Sequence, residues 1–490
     1  MHPAGAMDML QRMSNTLNSP TSDDLAQLTA LADGQAVHGA DEVAPYLVDP
    51  RGLTPGNAAT VLKPETTERV SQIVRYCADR RIGIVPYGGG TGLVGGQVAP
   101  ADPMPVLLSL ERMNRIRSVS VSEGAILAEA GVILSDIQHA ADEVGKLFPL
   151  SLASEGSCRI GGNLSTNAGG VQVLRYGNAR DLCLGIEAVM PNGEILNGLK
   201  TLRKDNTGYD LRHLLLGAEG TLGIITAAAL RLFPKPGATV TAMLAIPGHA
   251  AAVDLLRHLQ DALGDSITAF ELIHGTGIEF VETYFPETVD PLADPPEWRV
   301  LTEVIGPDAE SLSERVEAAL GEAFEAGLAT DGVIASSEAQ RQNMWWIRET
   351  IPECNRKVGA VGSHDISIPI SRLSKFVDAG LEKLAAIDPV LRLNCFGHIG
   401  DGNLHLNILK PEGMAKEEFF DKCQQVNKWV FDIVQRHRGS VSAEHGVGLV
   451  KKDYLQYTRS PVEIEYLRGI KRVFDPNGIM NPGKIFDIGG

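Results

Sequence analysis

The chain has 490 residues, more than one hydrophobic core usually organises, so roughly two or three domains are expected. Its composition, 44% hydrophobic and 21% charged, is typical of a folded globular protein. The formal net charge of −17 argues against a nucleic acid partner and against an anionic membrane surface, although a locally basic pocket for an anionic substrate is compatible with it.

Cysteine usage and apolar runs indicate the compartment. The six cysteines form no C-x-x-C pair, which fits a reducing compartment without iron–sulfur ligands or a disulfide framework. No apolar run approaches the roughly 18 residues of a membrane span, and the first residues lack the pattern of a secretory signal. We therefore expect a cytoplasmic protein.

The sequence of the first 236 residues predicts an N-terminal helical extension, residues 1–44, followed by a domain that covers residues 45–236. After Pro64, apolar residues at positions 70, 73, 74 and 77 have helical spacing. A short strand at 82–85 then enters a glycine-rich loop. Further on, strands are indicated at 185–190, 195–197 and 224–232, the first two joined by a Pro-Asn-Gly hairpin turn.

The first glycine-rich loop resembles a nucleotide-binding fingerprint but lacks its context. Gly90, Gly92 and Gly95 spell G-x-G-x-x-G after a strand, and that motif requires a helix that starts inside it. Here prolines follow at 100, 103 and 105, and residues 106–110 read as another strand. The sequence thus excludes a Rossmann fold and predicts a loop whose N–H groups bind an anion such as phosphate, with an ordinary glycine turn as the alternative.

Residues 154–170 form a second segment of small and hydroxyl side chains, which lets a ligand approach the backbone closely. Beyond Pro234 and Pro236, alternating strand-like and amphipathic helical runs indicate an α+β substrate domain over 237–445. Residues 446–490 are expected to form a C-terminal helical segment that returns to the first domain.

A histidine cluster lies near the end of the second domain. His405 and Asn407 alternate with apolar residues, so both would face a pocket from a half-buried strand, and a Gly-Asp-Gly turn can bring His398 back beside His405. With Glu444, two imidazoles and one carboxylate make a zinc-type catalytic site with an open position. The alternative is a glycine-rich loop whose histidines satisfy local hydrogen bonds.

Five blocks in this order strongly resemble the vanillyl-alcohol-oxidase-type flavoproteins, and within them the D-2-hydroxyacid dehydrogenases. The blocks are PYGGGTGL at 86–93, GGNLSTNAGG at 161–170, GAEGTLGIIT at 217–226, GHIGDGNLH at 397–405 and NPGK at 481–484. The resemblance covers residues 45–486. It implies an α+β fold in which a two-subdomain FAD-binding domain carries a substrate (cap) domain with an antiparallel sheet.

The resemblance also implies where FAD binds. The first loop would contact the pyrophosphate through Pro86, Gly88, Gly89, Gly90, Thr91, Gly92 and Leu93. The second segment would surround the flavin and the ribityl chain through Gly156, Ser157, Gly161, Gly162, Asn163, Thr166 and Asn167. Glu219, Gly220 and Ile225 would lie near the adenine or the flavin. No histidine or cysteine occurs between Pro86 and Val98, so we expect non-covalent FAD.

Relatives of this kind oxidise small D-2-hydroxyacids. His445 is the candidate base, because an imidazole titrates near neutral pH. In similar enzymes the residues matching His398, His405 and Glu444 hold a divalent metal, zinc, and Asn407 could bind the substrate carboxylate.

Arg348 would clamp that carboxylate, for which a guanidinium is suited. A surface arginine paired with Glu349 or Glu353 is the alternative.

D-2-hydroxyglutarate is the first candidate substrate and D-lactate the second. Relatives that use the five-carbon diacid often carry Lys at the position of Ser363 and Thr or Ser at that of Pro352, and these side chains help hold the distal carboxylate. Lys357 or Arg356 could compensate. Two rival functions are a non-redox transferase on the same FAD scaffold and a flavin-free zinc hydrolase.

Reduced flavin needs an external electron acceptor, because the chain carries no haem or iron–sulfur ligand set. An electron-transfer flavoprotein, a quinone or another carrier would serve. Peripheral association with a membrane through this acceptor is the alternative to a purely cytoplasmic location. The sequence leaves the oligomeric state open, with a homodimer as the assembly considered.

Overall fold

The computed structural model describes residues 17–52, 54–98, 102–359 and 361–487. Much of the expected N-terminal extension, residues 1–16, therefore lies outside the described residues. The chain divides into two compact units. The first comprises Met1–Ala168, Asn178–Lys235 and Glu444–Gly490, and the second comprises Gly169–Gly177 and Pro236–Ala443.

Helices and strands are numbered here in chain order. The helices are α1 Ser22–Leu31, α2 Ala40–Val43, α3 Thr67–Arg80, α4 Leu134–Asp142, α5 Ile160–Thr166, α6 Val173–Tyr176, α7 Leu211–Leu215, α8 His249–Leu263, α9 Gly275–Tyr284, α10 Ala309–Glu325, α11 Glu338–Val358, α12 Leu373–Ile387, α13 Lys416–Arg436 and α14 Pro461–Phe474. Short 3-10 helices cover Ala44–Leu47, Gly264–Ser266, Ile370–Arg372 and Lys452–Tyr457.

The strands are β1 Ala36–Val37, β2 Val61–Leu62, β3 Ile84–Tyr87, β4 Val106–Ser109, β5 Ile116–Ser120, β6 Ala125–Glu129, β7 Lys146–Leu147, β8 Cys183–Val189, β9 Ile195–Gly198, β10 Ile224–Arg231, β11 Phe233–Pro234, β12 Ala238–Ile246, β13 Ile267–His274, β14 Trp298–Gly306, β15 Asp331–Ile334, β16 Val361–Ser367, β17 Arg392–Gly397 and β18 Asn403–Leu409.

The first unit contains two main sheets. One has the order β1-β2-β4-β3, with β2, β4 and β3 parallel, and the other is antiparallel with the order β5-β6-β10-β8-β9. Helix α3 forms as its pattern predicts, because Thr66 caps its N-terminus and its apolar face, Val70, Ile73, Val74 and Cys77, is buried. Across the described residues between β3 and β4 there is no helix, which confirms that the glycine motif does not open a Rossmann unit.

The second unit is built on one antiparallel sheet of seven strands in the order β15-β12-β14-β13-β17-β18-β16. Helices α9 and α11 cover one face, where Ile278, Ile347 and Ile351 pack with Phe396 of the sheet. The mixed helix-and-sheet fold with an antiparallel second sheet confirms the α+β prediction. Among the described helices, none combines the length and apolarity that a bilayer span requires.

Candidate functional site

The first glycine loop and the second small-residue segment meet backbone to backbone in the first unit. A Cβ at Gly88 would lie 3.4 Å from Gly162 Cα, and one at Gly89 would collide with the carbonyl oxygen of Ser157. Gly90 has φ +71°, which favours glycine. Glycine at these positions therefore lets two segments that are distant in sequence pack backbone to backbone and form one continuous surface.

A cavity of about 510 Å³ borders both segments. It is lined by Gly88, Gly89, Ser157, Arg159, Lys63, Val37, Glu42, Pro45, Tyr46, Tyr87 and Glu111. The lining combines glycine backbone, two cations and two tyrosine rings. Glu42 and Glu111 also line the cavity, and Glu111 pairs with Lys63 at 2.9 Å. The glycine backbone and Arg159 therefore suit a phosphate better than Lys63 does, and the tyrosine rings suit a planar ring of a dinucleotide.

The α5 segment supplies an acceptor that a cofactor can satisfy. Asn163 is 6% exposed, and its Oδ1 has no hydrogen-bond partner among the described residues. A buried acceptor without a partner is costly, and FAD offers hydroxyl and N–H donors. Thr166 Oγ1, by contrast, donates to Gly162 O within the segment, and Asn167 Oδ1 accepts the N–H of Arg180 beyond it. The residues present fit FAD.

The turn at Glu219 and Gly220 also packs beside β3, because a Cβ at Gly220 would lie 2.9 Å from Pro86 Cγ. Ile225 is buried in β10. The Glu219 carboxylate does not point to open solvent: it accepts the N–H of Val447 at 2.7 Å and that of Gly448 at 2.8 Å. Both side-chain oxygens of this residue, which the resemblance places near FAD, therefore already accept main-chain hydrogen bonds within the protein.

One face of the second unit's sheet collects the predicted polar side chains. Ser363, Asn407 and Asn394 are cross-strand partners on β16, β18 and β17, and Asp365, His405 and Phe396 form the next row. Residues directly opposite each other share a face of the sheet, and so do residues two apart. The alternation predicted for β18 is confirmed, with buried Leu404, Leu406 and Ile408 on the opposite face.

Glu271 of β13 joins two of the predicted residues. Its Oε1 lies 2.6 Å from His398 Nδ1, and its Oε2 accepts Arg348 Nε at 2.7 Å. Burial disfavours its ionisation, but the charges of His398 and Arg348 outweigh that effect and lower the pKa of Glu271 to about 2. Arg348 is 5% exposed, so the alternative of a surface arginine is wrong. Its guanidinium also lies 4.8 Å from the centre of the Phe396 ring.

This contact fixes the orientation of the histidines. With Nδ1 against Glu271, His398 directs Nε2 to the other side of its ring, and the ring centres of His398 and His405 are 5.7 Å apart. A carboxylate behind a histidine is the usual support of a metal-ligating imidazole. Sequence reasoning missed Glu271, although a single carboxylate inside the apolar strand β13 was a usable signal.

The chain leads directly from this unit to the remaining predicted residues. The N–H of Ser440 donates to Ser367 O at 2.8 Å, and that of Ala443 donates to Asp365 O at 3.3 Å. Glu444 and His445 follow Ala443 and open the last segment of the first unit. Glu444 is thus the residue that follows Ala443, and Ala443 is hydrogen-bonded to Asp365, the cross-strand partner of His405.

The side chains considered for binding a distal substrate carboxylate differ in their contacts and their exposure. Lys357 pairs with Glu353 at 3.5 Å, and its ammonium lies 4.3 Å from the centre of the Phe285 ring. Ser363 and Arg356 are exposed. The intervening His364 faces the other side of the sheet, where its ring nitrogens contact Leu406 O and Asn427 Oδ1.

Comparisons with known proteins identify the family of the chain. The FAD binding domain matches residues 58–198, and the C-terminal domain of FAD linked oxidases matches residues 235–485. D-2-hydroxyglutarate dehydrogenase of Stutzerimonas stutzeri (strain A1501) is 40% identical over 463 residues, 94% of this chain and 97% of the relative. The mitochondrial D-2-hydroxyglutarate dehydrogenase of Arabidopsis thaliana is 39% identical over 431 residues, 88% of this chain and 75% of the relative.

Two further comparisons concern a differently named relative and the fold. A putative mitochondrial D-lactate dehydrogenase of Schizosaccharomyces pombe is 38% identical over 467 residues, 92% of this chain and 87% of the relative. The structure of p-cresol methylhydroxylase with bound substrate superposes with a TM-score of 0.75 at 18% identity, covering 97% of this chain and 99% of the other.

The fold, the glycine loops and the matched domains define an FAD-dependent oxidoreductase. Within that class, the chain belongs to the FAD-linked oxidase family, in the group that contains the D-2-hydroxyglutarate dehydrogenases.

Proposed function

We propose that the protein oxidises D-2-hydroxyglutarate to 2-oxoglutarate with FAD. The observation that carries this proposal is the Glu271 carboxylate, which holds Arg348 and His398 on the sheet face of His405 and Asn407. The names of relatives near 40% identity support the choice of substrate. The test is product analysis: purified enzyme with D-2-hydroxyglutarate and an artificial acceptor forms 2-oxoglutarate, and no product above background contradicts the proposal.

Arg348 and Asn407 bind and orient the substrate. Arg348 Nε donates its hydrogen bond to Glu271. The two terminal guanidinium nitrogens are therefore the pair that binds the carboxylate of the 2-hydroxyacid, which they can hold bidentately. Asn407, 4% exposed in the row beside His405, offers an amide donor to the same carboxylate. This clamp fixes C2, and fixed geometry is a large part of the rate enhancement.

His445 removes the hydroxyl proton of the substrate as general base. FAD, when bound, supplies the acceptor for the hydride of C2. The protein's own contribution is the alignment of hydroxyl, C2 and carboxylate by His445, Asn407 and Arg348.

His398, His405 and Glu444 would hold a divalent metal, and we propose zinc. Two imidazoles and a carboxylate are a common zinc ligand set, and the His398–Glu271 hydrogen bond provides the support that such histidines require. Zinc in this place would polarise the substrate hydroxyl.

Glu271→Gln tests the metal proposal. The amide can donate to His398 Nδ1, which leaves the ring proton on Nε2 and removes the ligand, so we expect metal affinity to fall about 10–100-fold. Metal analysis of FAD-loaded protein titrated with a chelator measures it. Glu303→Gln, which changes another buried carboxylate of the same sheet, is the control and should bind metal normally. Unchanged affinity in Glu271→Gln, or wild-type protein that binds no zinc, would contradict the assignment.

Arg356 is the better candidate for holding a distal carboxylate. It lies on the exposed surface of α11 eight residues after Arg348, about 12 Å along the helix axis and roughly 80° around it. The structure records no ion pair for Arg356 among the residues that it describes, whereas Lys357 is engaged by Glu353 and Phe285.

We expect Arg356→Ala to raise the KM for D-2-hydroxyglutarate about tenfold, because a charge-assisted hydrogen bond is lost, and to leave the KM for D-lactate unchanged. Steady-state kinetics with both substrates measure this selectivity. Lys357→Ala is the matched control and should change neither value. An equal effect of Arg356→Ala on both substrates would remove Arg356 from the distal site.

An external acceptor must reoxidise the flavin, and we propose an electron-transfer flavoprotein, a quinone or another carrier in that role. A cytoplasmic location and a homodimeric assembly remain predictions from the sequence. Several plant and animal relatives are named as mitochondrial, whereas the name of the Stutzerimonas stutzeri relative gives no compartment.

A further inference from the structure

The Glu219 carboxylate holds a main-chain segment of the first unit. Glu219 is 8% exposed and has φ +52°, in the left-handed region that non-glycine residues rarely adopt. Its Oε1 accepts the N–H of Val447 at 2.7 Å, and its Oε2 accepts that of Gly448 at 2.8 Å. Two hydrogen bonds from the adjacent amides to one carboxyl group fix both the position and the direction of that segment.

The segment is shaped to fit this contact. Gly446 has φ +83°, and a Cβ there would lie 2.8 Å from Glu219 Oε1. Gly448 has φ +52°, and a Cβ there would collide with Val94 O. That same Val94 oxygen accepts the N–H groups of Leu449 at 2.9 Å and Val450 at 3.2 Å. The segment thus lies between a carboxylate on one side and the end of the first glycine loop on the other.

The turn that carries Glu219 is itself anchored. Its N–H donates to Ser165 O of α5 at 2.7 Å, and its carbonyl accepts Asn481 Nδ2 at 2.7 Å. Asn481 also donates to Gly96 O at 3.0 Å, so the C-terminal Asn-Pro-Gly-Lys block ties this turn to the first glycine loop. The backbone that forms the proposed FAD site therefore also determines where residues 446–450 lie.

We propose that Glu219 is a positioning residue for Glu444 and His445. His445 directly precedes Gly446, so fixing the amides of Val447 and Gly448 fixes the chain from which both side chains project. Glu219 acts through this segment and does not touch the substrate. The inference rests on the proposed function, in which His445 is the base and Glu444 a metal ligand.

Glu219→Gln tests the proposal, because the amide keeps the shape but presents an NH2 group to one of the two N–H donors. We expect faster hydrogen–deuterium exchange in the peptide covering 444–450, measured by mass spectrometry on FAD-loaded protein. We also expect kcat with D-2-hydroxyglutarate to fall at least about tenfold, since small misplacements of reacting groups are costly. KM should stay within about threefold, because substrate binding is not removed.

Glu187→Gln is the matched control in the same unit. Glu187 is a buried carboxylate that accepts hydrogen bonds from Thr67, Arg117 and Thr226, none of which belongs to residues 444–450. Its loss should lower the melting temperature while exchange at 444–450 and kcat stay at wild-type values. Gly446→Ala disturbs the same contact without changing Glu219, because the added Cβ would lie 2.8 Å from Glu219 Oε1. We expect this variant to show the same increase in exchange and the same fall in kcat. It replaces Glu219→Gln as the test if Glu219→Gln does not fold with FAD.

Unchanged exchange, or faster exchange with unchanged kcat, would overturn the positioning role. Loss of FAD from folded Glu219→Gln with exchange unchanged would instead make Glu219 a cofactor contact and also overturn it. Failure of D-2-hydroxyglutarate to reduce the wild-type protein contradicts the proposed function alone, because the exchange measurement reads the segment without substrate.

Discussion

Replacing His445 with alanine should slow flavin reduction by D-2-hydroxyglutarate by about 10²–10⁴-fold, the usual range for the loss of a general base. FAD should remain bound, because the glycine loops proposed to bind it do not include His445. Stopped-flow absorbance under anaerobic conditions gives the rate, and the visible flavin spectrum gives the FAD content.

The control for this variant is His213→Ala, which removes a half-exposed imidazole of the same unit paired with Asp210. It should reduce flavin at the wild-type rate. Rapid reduction in His445→Ala would remove His445 from the role of base and direct attention to the other histidines of the cluster.

Replacing Arg348 with lysine should lower kcat/KM about 10²-fold. A lysine ammonium can still pair with Glu271, so the buried carboxylate keeps a partner, but it lacks the planar fork that holds a carboxylate bidentately. The expected loss follows from substrate that is bound in many orientations instead of one. Steady-state kinetics over a wide substrate range separate kcat from KM.

Arg341→Lys provides the matched comparison on the same helix, since Arg341 pairs with Glu338 and Glu303 and not with Glu271. It should leave kcat/KM near the wild-type value. Equal kinetics of Arg348→Lys and wild type would show that Arg348 serves only to neutralise Glu271.

Local patterns predicted the elements of the fold well. The apolar spacing of α3 and the alternation of β18 are each set by a buried face, so a few neighbouring residues suffice to recognise them. The exclusion of a Rossmann unit likewise followed from nearby prolines. Motif resemblance supplied the arrangement of domains, which periodicity alone does not determine.

Local sequence patterns could not predict contacts between residues that are far apart in the chain. Glu271 lies 127 residues before His398 and 77 before Arg348, and Glu219 is 228 residues from Val447. Only the folded chain brings these groups together, and a carboxylate in an apolar strand does not say which cation it meets. Lys357 shows the reverse case, because its spacing allowed a role that its contacts with Glu353 and Phe285 disfavour.

The two rival functions were a flavin-free zinc hydrolase and a non-redox transferase. A flavin-free hydrolase is wrong, since the chain belongs to the FAD-linked oxidases. The non-redox transferase stays the rival prediction. The structure of alkyldihydroxyacetonephosphate synthase superposes with a TM-score of 0.73 at 17% identity, covering 95% of this chain and 85% of the other, and this shows a likeness of fold alone. Substrate-dependent reduction of the flavin separates a dehydrogenase from such a transferase.

The most direct measurement is therefore anaerobic mixing of the purified yellow protein with D-2-hydroxyglutarate and, separately, with D-lactate, while the visible flavin absorbance is followed. We predict rapid bleaching by D-2-hydroxyglutarate and slower bleaching by D-lactate. Faster bleaching by D-lactate would mean that Ser363 and Pro352 have changed the distal site. A flavin that stays oxidised with both would contradict a D-2-hydroxyacid dehydrogenase.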